Sequence, residues 1–312
     1  MRVWCGFFLL LLAMTAEPFA ARAEVPFPNG QLVLVAGDAN GVYHQFSDDL
    51  KRLGQMYGFD IIVKPSAGSL DNLMSIVNDD EVNMAFVQAD IPSWIAGRLR
   101  QSDRPGNNMR KFLVKVRTYY PLYDEMVQIV ARQGIRSLTE LRGHKVATGA
   151  QKSGAFLTMG NIFQQENIQV ESIPVSGAEA LAKLYAGEVD AVAMVSGYPV
   201  VLLQSLENKG YHLLPVVLTH ADPVYMPAEI PVNTYVWQKE AVQTVSVKVL
   251  LATYDYVQDM PVCQRLIKFS DVLKKNLLWL RTNGHAQWQK VDFEYVDNSG
   301  KNFLRSHCLS GY

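Results

Sequence analysis

The chain lacks the clustered residues that most enzyme chemistry requires. Its 312 residues hold three cysteines and six histidines. Neither set is spaced for chemistry: there is no CxxC, no HExxH, no HxH pair and no GxSxG elbow. His44, His144, His212, His220, His285 and His307 are dispersed. No metal, no cofactor and no catalysis are therefore expected. An excess of one charge is also missing. Lys and Arg number 29 against 30 Asp and Glu, with no basic stripe or charge block, which argues against a nucleic-acid partner. Past the N-terminus no apolar run approaches the roughly 20 residues of a membrane span.

What the N-terminus does have is an export layout: Arg2, an apolar stretch from Phe7 to Met14, and the small-residue sequence Ala21-Arg22-Ala23. This predicts a signal peptide over residues 1–23, cleaved after Ala23, and a periplasmic protein. The other reading, a membrane anchor, needs a longer apolar run. Removing Arg2, Glu17 and Arg22 with the leader leaves 27 basic and 29 acidic residues, a net charge of −2. Two cysteines survive, Cys263 and Cys308. In an oxidising compartment an even pair without CxxC spacing reads as a structural disulfide, with two buried free thiols as the alternative.

The body of the chain is written twice. Gln31–Asp90 and Lys145–Tyr198 each run from an apolar strand through a glycine loop into a helix-length segment, then a second strand, a small-residue loop, a short helix and a third strand. The tails agree closely: Glu81-Val82-Asn83-Met84-Ala85-Phe86-Val87 against Glu188-Val189-Asp190-Ala191-Val192-Ala193-Met194-Val195. Landmarks lie about 110 residues apart, well beyond solenoid periods. The expectation is an α/β protein of two similar lobes joined by a hinge with crossover strands. Residues 24–125 plus 232–312 form a discontinuous first lobe, and 126–231 the second. Met126–Ala131 is expected as one crossover strand, Asn233–Trp237 with Val242–Leu251 as the return. Helices are expected around Ser246–Val257 and Ser270–Leu280, another is opened by Ile91-Pro92, and an exposed loop spans Gln101–Arg110.

Ligands of open α/β sheets bind beyond the carboxyl ends of the strands, so two facing lobes define a cleft. Gly37-Asp38-Ala39-Asn40-Gly41 joins a strand to a helix, where N–H groups suit an anion. Gly149–Gly154 has the glycine spacing of a P-loop, but Ala155 and Phe156 stand where Lys and Ser or Thr are required, so a nucleotide triphosphatase is disfavoured. Gly68-Ser69 with Asn72 offers a hydroxyl and an amide at a helix start, for capping alone or for capping and ligand. Gln88 and Asp90 follow the third strand. Of Tyr43, Tyr119, Tyr120, Tyr123 and Tyr198, roughly two are expected on the ligand and the rest in packing. Arg117 is left between an anion contact and an ion pair.

Gly37–Tyr43, Gly68–Leu73, Phe86–Asp90, Ser153–Ala155 and Gly197-Tyr198-Pro199 together resemble the TAXI family, the extracytoplasmic solute-binding proteins of tripartite ATP-independent periplasmic (TRAP) transporters. The resemblance runs from about residue 30 to about residue 250. It implies a periplasmic-binding-protein-like type II fold, a monomer that closes around a small carboxylate or amino acid of the glutamate or glutamine kind, and delivery to TRAP membrane permease subunits. A ligand-sensing protein that docks a membrane sensor kinase is the alternative. The pattern carries over onto Tyr43, Ser69, Asn72, Gln88, Asp90, Ser153 and Tyr198, with Gly68, Tyr120 and Gly154 completing the expected ligand-binding set. One departure is Asn40-Gly41-Val42-Tyr43-His44, where the family usually has Gly-Gly-Thr-Tyr-Tyr. The tail past about Pro261 falls outside the resemblance.

Overall fold

The computed structural model describes residues 29–294 apart from 40, 93–94, 96–114, 207–209, 221 and 258–259, together with 306–309. The expected leader, the loop at 101–110 and the body of the helix opened by Ile91-Pro92 lie outside the described residues.

The first half begins with β1 (Gly30–Val35), α1 (Val42–Met56), β2 (Phe59–Lys64), α2 (Ser69–Asn78) and β3 (Met84–Gln88). The second repeats the plan with β5 (Lys145–Ala147), α3 (Gly154–Gln165), β6 (Glu171–Ile173), α4 (Gly177–Tyr185) and β7 (Ala191–Ser196), and the short α5 (Val201–Gln204) follows. Both sets are parallel and ordered alike, β2-β1-β3 in one and β6-β5-β7 in the other. The duplication in the sequence is thus a duplication of topology. Each helix places its apolar residues three or four apart: Phe46, Leu50 and Leu53 on α1, Leu73, Ile76 and Val77 on α2, Met159, Ile162 and Phe163 on α3. That spacing turns one face to the sheet.

Two long strands join the halves. β4 (Val116–Arg132) pairs with β10 (Val242–Tyr254) through its first part and with β7 through Met126–Ala131. β10 pairs with β3 at Val249–Thr253 and with β9 (Tyr225–Ile230) at Val242–Val247. The full order is β2-β1-β3-β10-β4-β7-β5-β6, with β8 (Tyr211–Leu214) on β4 and β9 on β10. Pro121, which donates no ladder bond, sits where the β4–β10 register shifts between Lys248 and Leu250.

Two expectations are corrected. Ser246–Val257 is not helical, since β10 continues as strand to Tyr254. Its run Val245, Val247, Val249, Leu250, Leu251 is buried on both faces, so it shows no period-two alternation to mark it as strand. Asn233–Trp237 is a turn segment, with Tyr235 and Trp237 stacked at 5.3 Å. The C-terminal region packs on the first half through α6 (Pro261–Lys275) and α7 (Leu277–Asn283). Trp288 stacks on Phe46 at 4.3 Å, and its indole N–H donates to Asp49 Oδ2 at 2.8 Å. Cys263 and Cys308, both buried, are bridged with Cα atoms 5.6 Å apart. Among the described residues no helix is long and apolar enough to cross a membrane.

Candidate functional site

Four helix starts meet at one pocket of about 320 Å³, two from each half of the sheet. Gly41 and Val42 open α1, Gly68 and Ser69 open α2, Ser153 and Gly154 open α3, and Ser176 and Gly177 open α4; all eight line it. Each start follows a strand by a short loop, which is what directs it to the same sheet edge. Ser153 caps its own helix by accepting from Phe156 N at 3.1 Å, whereas Gly41, Gly68 and Ser176 provide no side-chain cap. The uncapped N–H groups and the aligned peptide dipoles give the pocket positive potential without a positive side chain. Indeed, among the described residues no Lys or Arg lines it. The remaining wall is largely apolar, with Val42, Ala193, Met194, Val195, Val200 and Leu202.

The halves touch beside the pocket. Leu70 N donates to Lys152 O at 3.2 Å. Gly68 has φ of +120°, in the region only glycine adopts readily, and a Cβ built on it would lie 3.1 Å from Ser153 Cα. Glycine is needed there for the backbone turn and for the close approach alike.

At the pocket floor is a polar cluster around Glu125 of β4, which is 5% exposed. Gln88 Nε2 donates to Glu125 Oε2 at 2.6 Å, Tyr43 O–H to the same oxygen at 3.4 Å, and Tyr123 O–H to Oε1 at 3.3 Å. Ser69 Oγ accepts from Gln88 N and lies 3.2 Å from the Tyr43 hydroxyl. Burial pushes the Glu125 carboxyl up to about 8, against the pull of its three donors, and Asp90 adds to the rise. Behind Gln88, Asp90 Oδ2 accepts from Thr158 at 2.7 Å and from Tyr225 at 2.8 Å, while its Oδ1 is buried without a partner among the described residues. Burial raises Asp90 to about 6, with those two bonds opposing.

Of the expected ligand residues, Tyr43, Gly68, Ser69, Gln88, Ser153 and Gly154 line the pocket. Four other expected ligand residues do not. Asn72 is fully buried on the sheet-facing side of α2, donating to Phe86 O at 2.7 Å and accepting from Ser66. Asp90 is one layer behind Gln88. Tyr120 belongs to the core under α6, bonded to Ser270 and 4.4 Å from the ring of Phe293. Tyr198 sits beside Lys290, whose Nζ is 3.8 Å from its ring centroid, and its carbonyl accepts from Gln287 Nε2 at 2.9 Å. A polar or aromatic residue near a strand or helix end can turn to either side of the wall, and the sequence pattern does not fix which. Arg117 pairs with Asp255 at 2.9 Å, the structural alternative.

Sequence reasoning missed Glu125. Its signal was present: Asp124 and Glu125 are consecutive acids inside an apolar strand, and alternate residues of a strand face opposite ways. Asp124 takes the outer side and pairs with Lys248 Nζ at 2.8 Å, so Glu125 is turned inward.

No curated protein matches the sequence. Among solved structures, the chain is similar to an ancestral arginine-binding protein bound to arginine, at 16% identity over 84% of this chain and 96% of that one, with a TM-score of 0.47. It is also similar to Tv2483 bound to L-arginine, at 13% identity over 84% and 92%, TM-score 0.47. A third is the alkanesulfonate-binding protein SsuA from Xanthomonas axonopodis pv. citri bound to MOPS, at 14% identity over 84% of each chain, TM-score 0.42. The model of the NMT1-like family matches residues 36–268, well over half of the sequence. The protein is accordingly a member of the NMT1-like family, with a periplasmic-binding-protein-like type II fold.

Proposed function

We propose that this chain is a periplasmic solute-binding receptor of the TAXI kind. Its lobes, residues 24–125 with 232–312 and residues 126–231, close on a small carboxylate or amino acid, which it hands to a TRAP-type membrane permease. The observation that carries the reading is the convergence of four helix starts from both halves on one pocket that, among the described residues, no cation lines. A carboxylate there takes N–H bonds from helix ends, each worth about 0.3–1 kcal/mol at an exposed site and up to about 2 when partly buried. Because the donors come from both lobes, the ligand binds the closed arrangement better than an open one and shifts the population toward it. The apolar wall receives the rest of the ligand. β4 and β10, the two strands shared by both halves, are the hinge in this reading.

The test is thermal shift of the mature chain, after unfolding and refolding to strip any carried ligand. The panel holds L-glutamate, L-glutamine, L-leucine, 2-oxoglutarate and 4-methyl-2-oxopentanoate. A rise of several degrees with one or more acids is expected, since a ligand confined to the folded state raises its stability. The bound compound should be recovered unchanged. No shift with any member, or turnover of the bound compound, overturns the proposal.

A further inference from the structure

The pocket attracts anions by its helix starts yet holds a carboxyl group, Glu125, at its floor. The groups facing that carboxyl are, from α1, the Tyr43 phenol; from α2, the Ser69 hydroxyl through Tyr43; from β3, the Gln88 amide with Asp90 behind it; and from β4 itself, the Tyr123 phenol. Asp38 is the other acid in the lining. None of these is a cation. Three neutral donors orient the Glu125 carboxyl without supplying the counter-charge that a buried carboxylate needs.

An incoming carboxylate adds a second negative group beside the buried Glu125. Two carboxyls held close, one of them buried, do not both ionise readily and share one proton. The helix starts stabilise the charge on the ligand. The proton is thus left with Glu125, which lines the pocket.

We infer that Glu125 is the specificity-determining residue of the pocket, entering the complex as a neutral acid that donates a hydrogen bond to the ligand's carboxylate, so that binding depends on one proton. This rests on the carboxylate reading above. The arrangement is of the kind in which an apolar site keeps a carboxylic acid neutral so that it can donate. Before any ligand enters, burial already holds Glu125 up at about 8, which keeps the proton in place at neutral pH.

The test is calorimetric titration of the mature chain from pH 6 to pH 9.5 with 2-oxoglutarate, 4-methyl-2-oxopentanoate and L-glutamate, repeated in two buffers of different ionisation enthalpy. The expected Kd of whichever probes bind is level up to about pH 8 and weakens about tenfold for each further pH unit, with uptake of close to one proton above that point. In Glu125→Gln, whose amide still donates, the bend disappears and Kd stays level across the range. An affinity that rises between pH 6 and pH 8 overturns the inference, because it shows an ionised Glu125 paired with a cation of the ligand. A wild-type profile level to pH 9.5 also overturns it. If no probe binds at pH 6, the carboxylate reading itself falls with it, whereas binding with the wrong profile removes only the role given to Glu125.

Discussion

Replacing Gly154 by Ala tests the closure proposed above. A Cβ built on Gly154 would lie 1.6 Å from Gln88 Oε1, 2.4 Å from Gln88 Cδ and 2.9 Å from Ser69 Oγ, which atoms do not tolerate. Either the Gln88 amide swings away or the two halves separate. Swinging it breaks the 2.6 Å bond to Glu125 and the 3.5 Å contact with Thr158, and Gln88 is 1% exposed. A buried polar group that loses its partner costs about 1–3 kcal/mol, so the closed arrangement rises by roughly 2–6 kcal/mol when both contacts go. Separation instead removes the clash, and the first position of a helix is not harmed by alanine, which is favoured over glycine by up to about 1 kcal/mol in helix interiors.

The variant is therefore expected to keep its unliganded melting temperature within about 2 °C while its affinity for the best carboxylate falls roughly 30-fold or more, since about 1.4 kcal/mol corresponds to a factor of ten. Calorimetric titration gives the affinity, differential scanning calorimetry the stability, and solution scattering of the saturated protein the fraction closed. Unchanged affinity would show that the Gly68–Ser153 and Gly154–Gln88 approach is irrelevant to binding. A fall of more than about 5 °C in the unliganded protein would show that no open arrangement relieves the clash.

Cys263→Ser should lower stability by about 4 kcal/mol, from the entropy of a closed loop with a sequence separation of 45, read as a shift of the denaturant midpoint under oxidising conditions; a loss below about 1 kcal/mol would contradict it. Asn72→Ala should destabilise the unliganded fold by about 1–3 kcal/mol, because it removes the buried amide that donates to Phe86 O. An unchanged melting temperature with weakened ligand binding would return Asn72 to the pocket. Asp90 and Glu125 both have folded-state pKa values, about 6 and about 8, above the roughly 3.9 and 4.3 of unfolded chains. The folded state then binds more protons than the unfolded one across those windows, so each acid costs increasing stability as pH rises through them. Relative to wild type, Asp90→Asn should gain stability between about pH 4 and pH 6 and Glu125→Gln between about pH 4 and pH 8, both level above. Melting temperatures measured from pH 4.5 to pH 8.5 check this, and a variant that loses stability relative to wild type as pH rises would refute the sign.

The halves of the fold were legible because their strands and helices repeat in order and because parallel strands buried on both faces are written as apolar runs. The crossover strands were legible only in pieces. Pro121 breaks the apolar pattern of β4, yet it sits at a register shift where a missing donor costs nothing. β10 carries valines and leucines on successive residues, a pattern that a helix and a doubly buried strand share. The pocket's glycine and serine loops were also legible, since small residues at strand-to-helix turns have a backbone reason to be there. Which polar side chains point through them was not. Asn72 and Asp90 lie within two to four residues of true lining positions, and the difference is a rotation about a strand or helix that packing fixes.

The missing cation and the overlooked acid are two sides of one design. Had an Arg or Lys lined the pocket, its charge near Glu125 would favour the ionised form and draw the carboxyl down, removing the neutral acid from physiological pH. Four helix starts supply the same attraction for an anion as partial charges spread over both halves, and none of them carries a proton or a mobile side chain. The groups within hydrogen-bond reach of Glu125, Tyr43, Tyr123 and Gln88, are neutral donors. Building the anion site from backbone is what lets a buried glutamic acid keep its proton beside it, and it is also why a search of the sequence for charged ligand-binding residues finds so little.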